Sequence, residues 1–146
     1  MTFSASAVVR VEKKRREREY EELYKSARSP FKGMELKKIF LYSVAIGYYK
    51  NKRSPLEKPL HDLFQAARTL TPEEEWFIKS IAIKTAGDLS ILSNERKVLN
   101  IAEEFANAGI LILHDIIFTK GSGEPLMKLL NEIYDVLQRG HNVNVL

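Results

Sequence analysis

The hydrophobic positions along the chain recur mainly at steps of three and four residues, which is the period of an amphipathic helix. The clearest segment runs from Glu35 to Lys50, where apolar residues cover an arc wide enough to predict burial on most sides. Two more segments follow, from Glu75 to Ala86 and from about Asn94 to Phe118. The isoleucine-rich stretch 109–118 could also form a buried strand. Because it continues the apolar stripe without alternating, we predict helix there as well.

Capping residues sharpen the boundaries of the second of these helices. Thr71 suits the N-cap, Pro72 the first helical position, and Glu74 the site where a capping box places its carboxylate. Gly87 is a natural C-terminal stop, and Asp88 can cap the next turn. The pattern therefore predicts a helix that begins just after Thr71 and ends at Gly87.

Other stretches are less regular. Residues 1–8 resemble a small-residue tail that frays, and 9–28 predict a charged helix with only a weak apolar stripe, which we expect to project from the core. Pro30 ends that segment. Residues 56–70 fit a short helix, and a glycine-rich break precedes a last predicted helix over 125–139.

Length and composition bound the class of protein. The chain has 146 residues, 45% hydrophobic and 29% charged, which predicts one folded all-α domain of five or six helices. In it, residues 1–28 form the charged N-terminal segment and 29–139 the core. The absence of cysteine excludes disulfide scaffolds and thiolate metal sites. No apolar run approaches a membrane span and the N-terminus lacks the pattern of a signal peptide, so we expect a cytoplasmic protein.

Charge is divided unevenly between the two parts of the chain. Residues 1–58 hold 15 basic and 7 acidic side chains, a net of +8, whereas 59–146 hold 8 and 12, a net of −4. A basic half can face nucleic acid. Alternatively, the two halves attract each other within one molecule or between copies.

Two basic clusters are the candidate nucleic-acid contacts. One lies in the charged N-terminal segment, and the other beside two tyrosines at the end of the first strong helix, where phosphate contact and base stacking could combine. The competing explanations are a salt-bridged solvated helix for the first cluster and an ordinary helix end for the second. The predicted contacts are Lys13, Arg15, Arg16, Lys50, Lys52 and Arg53.

Signals for catalysis or for metal and cofactor binding are weak. The acidic run 73–75 suits a first helical turn, and 121–123 lacks the lysine of a phosphate-binding loop. The three histidines share no metal-ligand spacing. A polar cleft of Glu103, Asn107 and His114 is the weakest hypothesis that remains. We therefore expect no catalytic residue, cofactor or metal, and a protein that is not an enzyme.

Several short blocks follow one another in a fixed order along the chain. They are Ser29–Phe31, Lys37–Phe40, Ala45–Tyr48, Lys52–Leu56, Gly87–Leu89 and Ile101–Gly109, followed by a glycine-rich break before the last helix. Taken in order over about residues 29–139, they resemble a small protein family associated with DNA phosphorothioation (Dnd) gene clusters.

The resemblance implies a prokaryotic system that replaces a nonbridging phosphate oxygen of DNA with sulfur and uses the mark for self-recognition. It implies an accessory protein rather than a sulfur-transfer enzyme, with DNA or a protein of that system as partner. Within the match, Lys52, Arg53, Asn107 and Gly109 are pattern positions with no assigned role. The main alternative is a helical interaction or oligomerisation module, in which segment 9–28 packs on a copy or a partner through Tyr20, Leu23 and Tyr24.

Overall fold

The computed structural model describes residues 2–119, 124 and 127–135, which are mostly helical with one two-stranded antiparallel sheet. A π-helical turn, Arg16–Tyr20, links the short helices Lys13–Arg15 and Glu21–Lys25, and a 3-10 turn, Leu89–Ser93, precedes the long helix Glu95–Phe118. Residues 127–135 form α7. The prediction of an all-α fold is thus confirmed for most of the described chain and wrong for the sheet. The remaining elements are β1 (Val8–Glu12), α1 (Lys13–Arg15), α2 (Glu21–Lys25), α3 (Leu36–Tyr49), β2 (Leu60–Gln65), α4 (Ala66–Thr69), α5 (Pro72–Ala86) and α6 (Glu95–Phe118).

Helices α3 and α6 form the centre of the fold, and two glycines allow their backbones to touch. A Cβ on Gly109 would lie 1.8 Å from the Ser43 carbonyl oxygen, and one on Gly47 would lie 2.2 Å from the Phe105 carbonyl oxygen. Around this crossing the core is aliphatic and aromatic, with Phe40 fully buried. The isoleucine-rich end of α6 is helical, as predicted, because its apolar stripe continues into the core.

The predicted capping of α5 is confirmed. The Thr71 side chain accepts from the Glu74 N–H, and the Glu74 carboxylate accepts from the Thr71 N–H, while Gly87 closes the helix in the left-handed conformation. Burial by itself raises the pKa of Glu74, but hydrogen bonds from Thr71, Lys37 and Lys38 outweigh it and lower the pKa to about 2. This carboxylate therefore joins the start of α5 to α3.

The N-terminal segment does not form the projecting helix that we predicted. Val8–Glu12 is a strand whose valines at 9 and 11 are buried while Arg10 is exposed, the two-residue alternation of a half-buried sheet. Helix begins only at Lys13. The predicted frayed tail is also folded over the core, since Phe3 is 4% exposed and its N–H donates to the Glu75 carboxylate at 2.7 Å.

Residues 60–65 form strand β2 instead of the predicted short helix. The strand pairs antiparallel with β1. Arg10 of β1 lies opposite Asp62, and its neighbour Val9 lies opposite Phe64, so Leu63 has no partner. Leu63 is therefore the extra residue of a β-bulge. Because of the bulge, the adjacent side chains of Leu63 and Phe64 both pack against the core. The apolar positions of this strand therefore do not alternate, and their spacing resembles that of a helix.

Segment 13–25 packs on the core of the same molecule. Tyr20 and Leu23 are 1% and 0% exposed, and Tyr24 is half-buried. The prediction that a copy or partner buries Tyr20 and Leu23 is wrong, because the core of the same molecule already covers both. The predicted break at 121–123 and the residues of the last predicted helix outside 127–135 lie outside the described residues. Within the described part, no helix combines the length and apolar character needed to cross a membrane.

Candidate nucleic-acid interface

Residues 50–59, which we term the basic loop, connect α3 to β2 and carry four lysine or arginine side chains. Asn51 adopts a positive φ of 54°, which turns the chain out of α3. The Lys52 N–H donates to the Gly47 carbonyl at 2.8 Å, and the Ser54 N–H to the Glu104 carbonyl at 3.1 Å. The first half of the loop therefore lies along α3 and α6.

A polar junction attaches the middle of the loop to the end of β1. The Asn107 side-chain amide of α6 donates to the Glu12 carboxylate at 3.1 Å and lies 3.1 Å from the Pro55 carbonyl oxygen. The same Glu12 oxygen accepts from the Glu57 N–H at 2.7 Å. Glu12 is 3% exposed, so this is a buried carboxylate with partners from two other segments.

The junction brings the start of α1 beside the end of the basic loop. Lys13 and Lys14 from the start of α1 and Lys58 from the basic loop line one shallow groove of about 240 Å³, together with Glu17 and Glu57. The sequence could not show that these regions share a surface, since more than 40 residues separate Lys14 from its partner Glu57.

The N-terminal predicted contacts are held in ion pairs. Lys13 lies 3.7 Å from Glu17, with both side chains more than half exposed. Arg15 lies between two buried carboxylates, those of Glu12 and Glu19, at 3.4 Å from each, and Arg16 pairs with Glu21 at 3.1 Å. The alternative of a salt-bridged helix therefore describes the resting arrangement of this cluster, most fully for Arg15 and Arg16.

The predicted contacts in the basic loop differ from one another. Lys50 pairs with Glu132 of α7. Arg53 pairs with Glu104 at 2.7 Å and lies over the ring of a buried phenylalanine of α6. Lys52 is exposed, and within the described residues its side chain has no ion pair. Tyr49, one of the two neighbouring tyrosines, is 49% exposed.

Three further residues belong to this surface although they are not among the six predicted contacts. Lys58 is exposed and has no ion pair among the described residues, and Lys14 lies 3.0 Å from Glu57. The amide of Asn107 is the third. A helix-forming pattern contains no signal for such a residue, because its role arises from a loop about 50 residues earlier in the chain.

Ion pairs between the two oppositely charged parts of the chain are a general feature of the fold. Arg53 meets Glu104, Arg10 meets Asp62 at 3.5 Å, and Lys37 meets Glu74 at 2.9 Å. Attraction within one molecule thus accounts for part of the charge asymmetry. Among the described residues, Arg28, Lys32, Lys52 and Lys58 of the basic part are exposed and have no ion pair, and two of them lie in the basic loop.

A second groove, of about 220 Å³, lies where β1 approaches α6. The Glu103 carboxylate accepts from the Arg10 N–H at 2.7 Å and pairs with Arg96 at 2.6 Å, while Arg96 also donates to the Val8 carbonyl. Burial raises the pKa of Glu103, and the contacts to Arg10 and Arg96 oppose that rise. These side chains satisfy the outer edge of β1, which gives the groove a structural role.

The hypothesis of a polar cleft loses its basis. Glu103, Asn107 and His114 bind different neighbours, since His114 meets Glu22 of α2 at 3.0 Å. Among the residues that the structure describes, no group of histidine, aspartate and glutamate side chains could hold a metal ion.

The described part of the chain thus combines a predominantly helical fold with a cationic groove formed by the start of α1 and the end of the basic loop. Residues 10–142 match the family of DNA sulphur modification system-associated protein 4. Since this match covers most of the chain, the protein belongs to that family, as the sequence resemblance indicated. Comparison with curated proteins and with solved structures gave no match.

Proposed function

We propose that this protein is a non-enzymatic accessory component of a DNA sulphur modification system that contacts DNA phosphates through the basic loop and the start of α1. The observation that carries the proposal is that Lys58 of the loop lines the same shallow groove as Lys13 and Lys14 of α1. Membership of the family supports the DNA-modification setting. In that role the protein would act on DNA in the cytoplasm.

The available charge sets the expected mode of binding. Lys52 and Lys58 are exposed and free of ion pairs in the described part, whereas Lys13 and Arg53 are held by glutamates. Exposed pairs contribute only about 0–1 kcal/mol, so a phosphate can replace the glutamate at little cost. Arg15 and Arg16 stay predicted contacts with a smaller expected share, because their side chains are only about one-fifth exposed.

Such contacts position a protein on DNA without reading the base sequence. We therefore expect binding to a duplex of arbitrary sequence that weakens linearly with salt on a log–log plot. Two to four phosphate contacts give a slope of about −2 to −4. A slope near zero, or no binding at low salt, would refute direct contact.

Charge-reversed variants locate the surface. Lys52→Glu and Lys58→Glu should weaken duplex binding and reduce the salt slope. Lys84→Glu is the matched control, since Lys84 is also exposed and has no ion pair among the described residues but lies in α5, outside this surface. Equal losses in all three variants would mean that net charge alone drives binding. The same titration on a duplex bearing a phosphorothioate tests whether sulfur is sensed.

The alternative is an interaction module that binds a protein of the same system without touching DNA. The ion pairs that already neutralise Arg15, Arg16 and Lys50 favour it. If the duplex titration is negative, a pull-down of system proteins with wild type and Lys58→Glu becomes the test. Binding that survives the substitution would then exclude the basic loop as the contact surface for the protein partner.

A further inference from the structure

We propose that Glu12 and Asn107 act as a pair that positions the basic loop relative to α1. The inference rests on the proposed function only for what the loop does, namely contact DNA. Whether the pair positions the loop can be measured without DNA. Both are positioning residues, because neither needs to touch a ligand for this role.

The contacts converge from three parts of the fold. Glu12 ends β1, Asn107 lies in the middle of α6, and the loop supplies Ser54, Pro55 and Glu57. The Asn107 nitrogen lies 3.2 Å from the Ser54 hydroxyl and 3.1 Å from the Pro55 carbonyl oxygen. The Glu57 N–H donates to Glu12 at 2.7 Å. One amide and one carboxylate thus hold residues 54–57 of the loop.

Besides this pair, the middle of the loop is held by one backbone bond from Ser54 to Glu104 and by the ion pairs of Arg53 with Glu104 and of Glu57 with Lys14. Its cationic side chains Lys52, Arg53 and Lys58 are exposed, and Pro55 is exposed between them. Few buried apolar contacts make a segment open at low free-energy cost, so hydrogen bonds to the buried pair decide where it lies. If these bonds are lost, the spacing between Lys58 and Lys13 is no longer fixed.

The donor and acceptor pattern of the pair makes a sharp test possible. In Asn107→Asp, two carboxylates face each other and the amide donor is lost. In the double variant Glu12→Gln with Asn107→Asp, the amide and carboxylate exchange places, and the net charge returns to that of the wild type. The new amide at position 12 can then donate to the new carboxylate at position 107, while the carbonyl oxygen of that amide accepts from the Glu57 N–H. The Ser54 hydroxyl can donate to the same carboxylate, but the bonds from position 107 to the Ser54 and Pro55 carbonyl oxygens are lost.

Hydrogen exchange at the Glu57 and Ser54 amides reads the loop directly. We expect Asn107→Asp to speed exchange at Glu57 by about tenfold, the factor for one hydrogen bond to a charged group. The double variant should recover part of the protection at Glu57, because the bond from its N–H to position 12 is kept and the repulsion between two carboxylates is removed. Asn100→Asp, on the same helix, is the charge control, because Asn100 only accepts from Arg96 and an aspartate can do the same. It should leave loop exchange unchanged.

The thermal unfolding midpoint of each variant separates loss of the loop from loss of the fold. Unchanged exchange at Glu57 in folded Asn107→Asp would overturn the inference. So would a double variant that recovers nothing, since a merely space-filling role predicts no such rescue.

DNA affinity distinguishes this result from the proposed function. If wild type binds the duplex, Asn107→Asp should weaken binding more than Asn100→Asp, and the double variant should restore part of it. Altered loop exchange in a protein that binds no DNA would support the positioning pair and refute the proposed function. Weakened DNA binding with unaltered loop exchange would support the proposed function and refute the positioning pair.

Discussion

Adding one methyl group at Gly109 should separate the two central helices. The new Cβ of Gly109→Ala would lie 1.8 Å from the Ser43 carbonyl oxygen, 2.7 Å from its carbonyl carbon and 3.0 Å from the Gly47 nitrogen. Ordinary contact begins at 3.4 Å, so the gap must open by about 1.6 Å. All three atoms are backbone, and no side-chain rotation can relieve the overlap.

Two opposing effects set the size of the change. Alanine is favoured over glycine inside a helix by about 1 kcal/mol. Overpacking a core costs typically about 1–3 kcal/mol and sometimes more. Because the clash at Gly109 involves two helix backbones, we expect the upper end, and a net loss of at least about 2 kcal/mol in the free energy of unfolding. For a chain of this size that lowers the melting temperature by about 4–8 °C.

Urea and thermal unfolding followed by circular dichroism measure this difference. Ser80→Ala is the matched control, because Ser80 is exposed in α5 and alanine there raises helix propensity without meeting another atom. The control should be as stable as the wild type or slightly more so. A Gly109→Ala protein that matched this control would refute the close backbone approach of α3 and α6.

Three further predictions test other parts of the fold. Thr71→Ala removes the N-cap acceptor of the Glu74 N–H and should cost about 1 kcal/mol in urea unfolding. Since the pKa of Glu74 is about 2 in the folded state against the usual 4.5, its stabilisation is complete above pH 4.5 and is lost as pH falls toward 2. Glu74→Gln should therefore flatten the pH profile of stability in that window, and an unchanged profile would contradict the assignment. Phe3→Ala should cost about 3 kcal/mol, as for a buried ring and unlike a frayed tail, in the same urea assay.

The sequence predicted the long helices well because their determinants are local. The apolar stripe of α6 repeats over 24 residues, and the Thr71 capping box needs only neighbours within one turn. It also predicted the family, since that resemblance depends on residue order alone. The strands were mispredicted where the determinants were not local. Val9 and Val11 precede a dense charged run, and the bulge at Leu63 gives β2 an apolar spacing typical of a helix.

The predominance of helix, the helix ends and an excess of positive charge in the first part of the chain were thus determined by the sequence alone. Only the tertiary structure decided which of those charges stay available. It paired Arg15 and Arg16 with glutamates, brought Lys58 beside Lys13, and gave Asn107 its partners from the basic loop. The physical reason is range. Periodicity and capping act over a few residues, whereas ion pairs and hydrogen bonds join groups that only the folded chain brings within about 3–4 Å.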